Sequence, residues 1–154
     1  TDMYEGGIHV PCFMRWPGKV QPGSESEAVV MLMDFFPTFC EVAGVPVDHE
    51  IEGRSILPLR RRAGTGSPER ICYWVRREGG PRYLGNAYHA IRQGNLKLLH
   101  NDAFAPLELF DVDRDPCESH DLADTQPGAL KTLETLMQEH IRRAGAIPWQ
   151  KDCQ

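Results

Sequence analysis

Apolar positions fall in short, turn-punctuated runs over the first sixty residues and in alternating runs after Arg70. Val10, Phe13, Met14 and Trp16 make an apolar stretch that predicts a buried strand, stopped by the turn chemistry of Trp16-Pro17-Gly18. Residues 29–32 predict a short strand or an extended link. A helix follows, with Asp34 placed to cap its N-terminus and Pro37 in its first turn, where a missing N–H costs nothing. Phe35, Phe36, Phe39, Cys40, Val42 and Ala43 give that helix an apolar face, and Gly44 ends it. After Arg70 the residues favour strands over 71–75, 88–92, 96–99 and 108–111, with Gln93-Gly94-Asn95 as a hairpin connection. These predict a small antiparallel sheet with one wet face. Asp113-Arg114-Asp115-Pro116 reads as a turn whose Asp side chains bond the backbone. Leu130, Leu133, Leu136, Met137 and Ile141 lie on one stripe of a last helix, which should cover the sheet.

Composition narrows the classes. A chain of 154 residues with 41% hydrophobic positions can build a core, and a net charge of −5 disfavours nucleic acid or an anionic membrane as partner. No apolar run approaches the ~20 residues a membrane span needs. The five cysteines (Cys12, Cys40, Cys72, Cys117, Cys153) include no C-x-x-C pair, and the six histidines lack metal-ligand spacing, so no metal site is read here. Arg60-Arg61-Arg62 and the Gly- and Ser-containing residues after it read as a solvated linker. At the start of the chain, Tyr4-Glu5-Gly6-Gly7 reads as a loop whose paired glycines permit positive φ or a close backbone approach.

Five stretches in one order carry a resemblance. They are Tyr4-Glu5-Gly6-Gly7 with Val10-Pro11 and Arg15-Trp16-Pro17-Gly18-Lys19; Asp34-Phe35-Phe36-Pro37-Thr38 with Ala43-Gly44-Val45; Glu52-Gly53-Arg54-Ser55 through Leu59; Ala90-Ile91-Arg92-Gln93-Gly94-Asn95-Leu96-Lys97; and Glu108-Leu109-Phe110-Asp111 through Glu118. Together they resemble the C-terminal part of the type I, formylglycine-dependent sulfatases of the alkaline-phosphatase-like superfamily. The resemblance implies an α/β protein, α+β within this chain. Residues 1–62 would be the tail of the large α/β domain. Residues 63–154 would be a small subdomain, a four-stranded antiparallel sheet packed on a C-terminal helix.

The same resemblance implies what lies elsewhere. Family members carry Cys-x-Pro/Ala-x-Arg, whose Cys or Ser becomes the formylglycine nucleophile, and none of the cysteines here has that pattern: Arg15 stands three positions after Cys12 rather than four. The family's Ca2+ or Mg2+ ligands and a sulfate-contacting Lys fall upstream of Thr1. The expectation is therefore a sulfatase piece with no catalytic residue, metal or cofactor of its own, inactive alone and partnered by the rest of the catalytic domain. Tyr4, Glu5, Gly6 and Gly7 would support the active-site loop. His9, Trp74, Arg76, Arg77 and His89 are candidate contacts to a sulfated sugar or aryl sulfate, with Tyr83 beside them, because aromatic and arginine side chains suit sugar stacking and sulfate pairing. Alternatives are a stand-alone module binding a sulfated glycan or a protein, and a piece of a related phosphate or phosphonate ester hydrolase. Removing the large domain would expose apolar surface that invites self-association. By family habit, the resemblance implies a periplasmic, lysosomal or secreted protein.

Overall fold

A computed structural model describes residues 2–58, 70–77, 87–102 and 104–145. The chain divides into two compact units, Pro11–Pro68 and a second made of Thr1–Val10 with Glu69–Gln154.

The second unit is built on a four-stranded antiparallel sheet in the order β1 (Ile71–Arg77), β2 (Ala87–Gln93), β3 (Leu96–His100), β4 (Glu108–Asp111). Gly94, at φ +61°, and Asn95 make the two-residue turn between β2 and β3, a conformation that glycine takes without steric cost. Register places Ile91 opposite Leu98, and Leu98 opposite Leu109. These three point to α3 (Pro127–Gly145), where Leu133 and Met137 complete a core with no more than 2% exposure at any member. Each large aliphatic side chain so buried stabilises the unit by about 1.5–3 kcal/mol. The exposed edge of β4 is covered too: Leu109 N–H donates to Asp121 Oδ1 at 3.0 Å, and Leu122 N–H donates to the Leu109 carbonyl at 2.7 Å.

The expected wet face is not wet. Ala90, Leu99 and Phe110, which alternate with the α3-facing residues, are buried with Met3 and Val112, and Tyr4, Ile8, Trp74 and Tyr88 pack around them. The cover is the start of the chain. Residues 4–8 form not an open loop but a single helical turn, α1 (Glu5–Ile8), closed by the bond from His9 N–H to the Glu5 carbonyl at 2.8 Å. Neither Gly6 nor Gly7 uses positive φ. Gly7 serves close approach, since a Cβ there would stand 2.7 Å from the Asp2 carbonyl oxygen.

In the Pro11–Pro68 unit, α2 (Phe35–Ala43) ends at Gly44 in the left-handed region, as its sequence requires. A 3-10 turn, Leu32–Asp34, precedes it, and residues 29–31 are an extended link. Asp34 does not cap α2 forward, because its own backbone is already helical. Its carboxylate reaches back to Met31 N–H and across to Arg54 N–H, both at 2.8 Å, while Thr38 Oγ1 accepts from Ile56 N–H at 3.0 Å. A Cβ on Gly53 would collide with the Met33 carbonyl, so the exit segment lies against this turn only because residue 53 has no side chain. One expectation fails here. Val10, Phe13 and Met14 are exposed and residues 10–16 form no strand, since no described strand lies alongside to take their backbone hydrogen bonds. The apolar face of α2 is likewise outward, with Phe36, Phe39 and Val42 about half exposed or more while Asp34 and Thr38 are buried. Cys12, Cys40, Cys72 and Cys117 form no disulfide with one another.

Candidate functional site

The α1 turn is held on the sheet by polar contacts, not by apolar area alone. Lys97 is the second residue of β3, between Leu96 and Leu98, its side chain fully buried. A buried ammonium is tolerated only when paired. Lys97 Nζ lies 2.8 Å from Glu5 Oε1 and 2.9 Å from Glu118 Oε1, whose side chains are 11% and 2% exposed. The second contact is an ion pair whose geometry leaves Glu118 Oε1 without a well-directed hydrogen bond. The other Glu118 oxygen accepts from Glu5 N–H at 2.5 Å.

Neighbouring contacts repeat the pattern. Tyr4 donates its hydroxyl to Glu108 Oε2 at 2.7 Å, and its ring meets Phe110 edge-on. Burial, then the hydrogen bond and charge of Glu108, push the Tyr4 phenol up to about 12. Met3 N–H donates to Asn101 Oδ1 at 3.4 Å. Arg92, opposite Lys97 in the register, is drawn to Asp113 at 2.9 Å, so the two cations have separate counter-charges.

The Asp113–Pro116 turn expected from sequence carries Glu118 into place. Arg114 and Asp115 N–H groups bond the Asp111 carbonyl, and Asp115 accepts from the Ser119 and His120 N–H groups at 2.8 Å. Burial raises the Asp115 carboxyl, but hydrogen bonds from His120 and Ser119 outweigh it and the net shift is downward. Glu118 itself stands at φ +52°, a left-handed backbone rare outside glycine.

The candidate contact residues divide between the two faces of the sheet. His9 stands at the end of the α1 turn, largely exposed, with Nδ1 3.1 Å from Glu5 Oε2. Trp74 and Arg76 share the face that α1 covers, Trp74 packing with the Met3 and Phe110 cluster. Arg77 and His89 project from the opposite, α3-covered face. There His89 is buried with its Nδ1 on the Tyr73 hydroxyl, and His140 of α3 lies 3.9 Å from the Tyr73 ring. Burial, with help from the nearby His100 and Arg77 charges, holds the His89 imidazole below its ordinary value. The structure thus brings His9, Glu5 and Tyr4 together, with Trp74 and Arg76 on the same face, and sets His89 and Arg77 apart. Tyr83 and Arg60–Arg62 lie outside the described residues. Sequence reasoning missed Lys97, Glu108 and Glu118. The available signal was a lysine inside the apolar run of β3, which alternation alone assigns to solvent.

Among the described residues, no group of three or more His, Cys, Asp or Glu side chains is assembled to hold a metal ion.

Comparison with known proteins gives this arrangement a class. A solved structure of a protein in complex with its substrate, D-glucosamine-2-N,6-O-disulfate, superposes with a TM-score of 0.70 at 27% identity, over 87% of this chain and 28% of that one. N-acetylglucosamine-6-O-sulfatase of Bacteroides thetaiotaomicron is 32% identical over 138 residues, covering 87% of this chain and 25% of that protein. Mouse steryl-sulfatase is 45% identical over 158 residues, covering 86% of this chain and 25% of its own length. The fold is that of a sulfatase C-terminal portion, in the alkaline-phosphatase-like superfamily. More particularly, residues 2–145 match the model for N-sulphoglucosamine sulphohydrolase, C-terminal, and the chain belongs to that family. It spans about a quarter of the length of these curated relatives.

Proposed function

We propose that this chain is the C-terminal part of a hydrolase that cleaves sulfate esters of a sugar or an aryl alcohol. The family match over residues 2–145 carries the reading. In it, the nucleophile, a formylglycine, and the Ca2+ or Mg2+ ligands come from residues outside this chain. The chain's own contribution is to hold the α1 turn against the sheet and to present side chains beside it. His9 offers a hydrogen bond at the solvent end of the turn, and Trp74 and Arg76 offer a stacking ring and a guanidinium from the same sheet face. The remainder of the catalytic domain is the partner that would cover Phe13, Phe36, Phe39 and Val42, all exposed in the Pro11–Pro68 unit. That exposure favours the enzyme-piece reading over a stand-alone glycan-binding module, which gains nothing from an uncovered apolar surface.

The test is sulfate release by the full-length protein from an aryl sulfate and from 6-O-sulfated glucosamine. Release from either, absent from the 154-residue chain alone, is the expected result. Hydrolysis of a phosphonate monoester with no sulfate release would replace the sulfatase reading by its superfamily relative. Binding of a sulfated glycan by the chain alone, with no turnover by the full-length protein, would replace it by the module.

A further inference from the structure

We infer that Lys97 and Glu118 are positioning residues for the α1 turn, fixing from the small sheet where Glu5 and His9 stand. The kinetic consequence rests on the sulfatase reading; the positioning itself does not. Three observations carry it.

The first is the cost of Lys97 where it is. A fully buried ammonium flanked by Leu96 and Leu98 is no cheaper than an apolar side chain of like volume, which in such places is often neutral or stabilising. An apolar contact, however, tolerates sliding. An ammonium held by the Glu118 carboxylate does not, because its 2.8 Å pair with Glu5, and with it the 2.5 Å bond from Glu5 N–H to Glu118, is lost if the turn shifts. The second is the pinning of Glu118. Its left-handed backbone and the Asp115 bonds to Ser119 and His120 N–H fix its carboxylate, which grips Glu5 twice: through Lys97 and directly at Glu5 N–H. Glu5 lies 92 positions from Lys97, so no local geometry explains the meeting. The third is where the network ends. Glu118, Lys97 and Glu5 are almost wholly shielded, and the next member, His9, is 72% exposed. The chain of contacts leads from the small sheet out to one solvent-facing imidazole.

The experiment compares the full-length protein with its Lys97→Met, Lys97→Arg and Glu118→Gln variants, by hydrogen exchange and by steady-state kinetics on an aryl sulfate. In Lys97→Met, the exchange of the Glu5, Gly7, Ile8 and His9 amides should accelerate about tenfold more than that of the β2, β3 and α3 amides, which lose only what the lower global stability takes from them. For the active enzyme, kcat should fall about 10- to 100-fold with KM changed less than about threefold, and Lys97→Arg should recover part of kcat. If Lys97→Met loses α3 protection to the same extent as α1, Glu118→Gln decides, with about threefold faster exchange confined to the same four amides. Unchanged exchange at those amides overturns the inference. Faster exchange with an unchanged kcat also overturns it, since the turn's position would not matter to the reaction. A wild-type protein that cleaves no sulfate ester sinks the sulfatase reading instead, and the exchange arm then judges the positioning alone.

Discussion

The two faces of the small sheet are covered by different means. Against α3, Ile91, Leu98 and Leu109 meet Leu133 and Met137 in an apolar layer, and the polar groups on that face, His89 bonded to Tyr73, include no buried ion pair among the described residues. Against the start of the chain, Ala90, Leu99 and Phe110 share their face with Lys97, Glu5 and Glu118. Apolar layers stabilise in proportion to area and carry no directional preference of the kind an ion pair has. Buried charges add little net stability but are unforgiving of displacement. The α3 face holds the unit together, and the α1 face sets the position of a short turn.

Breaking the charged face should show the larger effect. Lys97→Met leaves two shielded carboxylates facing each other without their cation, and should cost about 3–5 kcal/mol of unfolding free energy. Urea unfolding of the full-length protein checks it; a loss below about 1 kcal/mol would mean that water reaches the cluster and the contrast between faces is false. On the apolar face, Leu98→Ala removes a fully buried side chain and should cost about 3 kcal/mol, with no selective loosening of α1. Exchange that rises at α1 as much as at α3 would show that the two faces do not act separately.

How far the sequence reveals this contrast follows from where each cause lies. The strands, the Gly94-Asn95 turn and the α3 stripe were legible, because each depends on residues within one short window. The covered second face was not. Lys97 alternates as a solvent-facing residue should, and only a segment 92 positions away makes its site dry. The Val10–Trp16 run misled for the complementary reason: its composition asks for a strand partner that none of the described residues supplies. Asp34 misled by direction, since a carboxylate at a helix start can serve N–H groups behind it as well as ahead. Of the site, Tyr4, Glu5 and His9 were legible through a motif, whereas their anchors Glu108 and Glu118 lie in segments with no pattern pointing back to the turn.

A smaller change tests the fit of the turn without touching charge. Gly7→Ala puts a Cβ 2.7 Å from the Asp2 carbonyl oxygen, a backbone atom that cannot swing away. The expected cost is about 1–3 kcal/mol, with loosening confined to the turn. Gly6→Ala is the control, because its Cβ would meet nothing within 4 Å. Equal effects at the two positions would show that close approach is not what Gly7 provides.

The smallest effect concerns Tyr4, and it sharpens the comparison through pH. Its phenol is raised from 10.0 to about 12, first by burial and then by the hydrogen bond to Glu108. Since the folded value is the higher one, folding favours the protonated phenol. That contribution is fully present below about pH 10 and is lost as the pH rises through 12. Tyr4→Phe should therefore cost about 1 kcal/mol at neutral pH, the net value of one hydrogen bond, and the difference from wild type should shrink toward pH 12. Absorbance titration gives the direct check, because the variant should lack the phenol that ionises near pH 12. On the α3 face, Tyr73 is also raised by burial, with the charge of Arg77 opposing the shift. An alkaline transition that loosens α3 before α1 would assign the pH sensitivity to Tyr73, and the α1 face would lose its standing as the polar, position-sensitive side of the sheet.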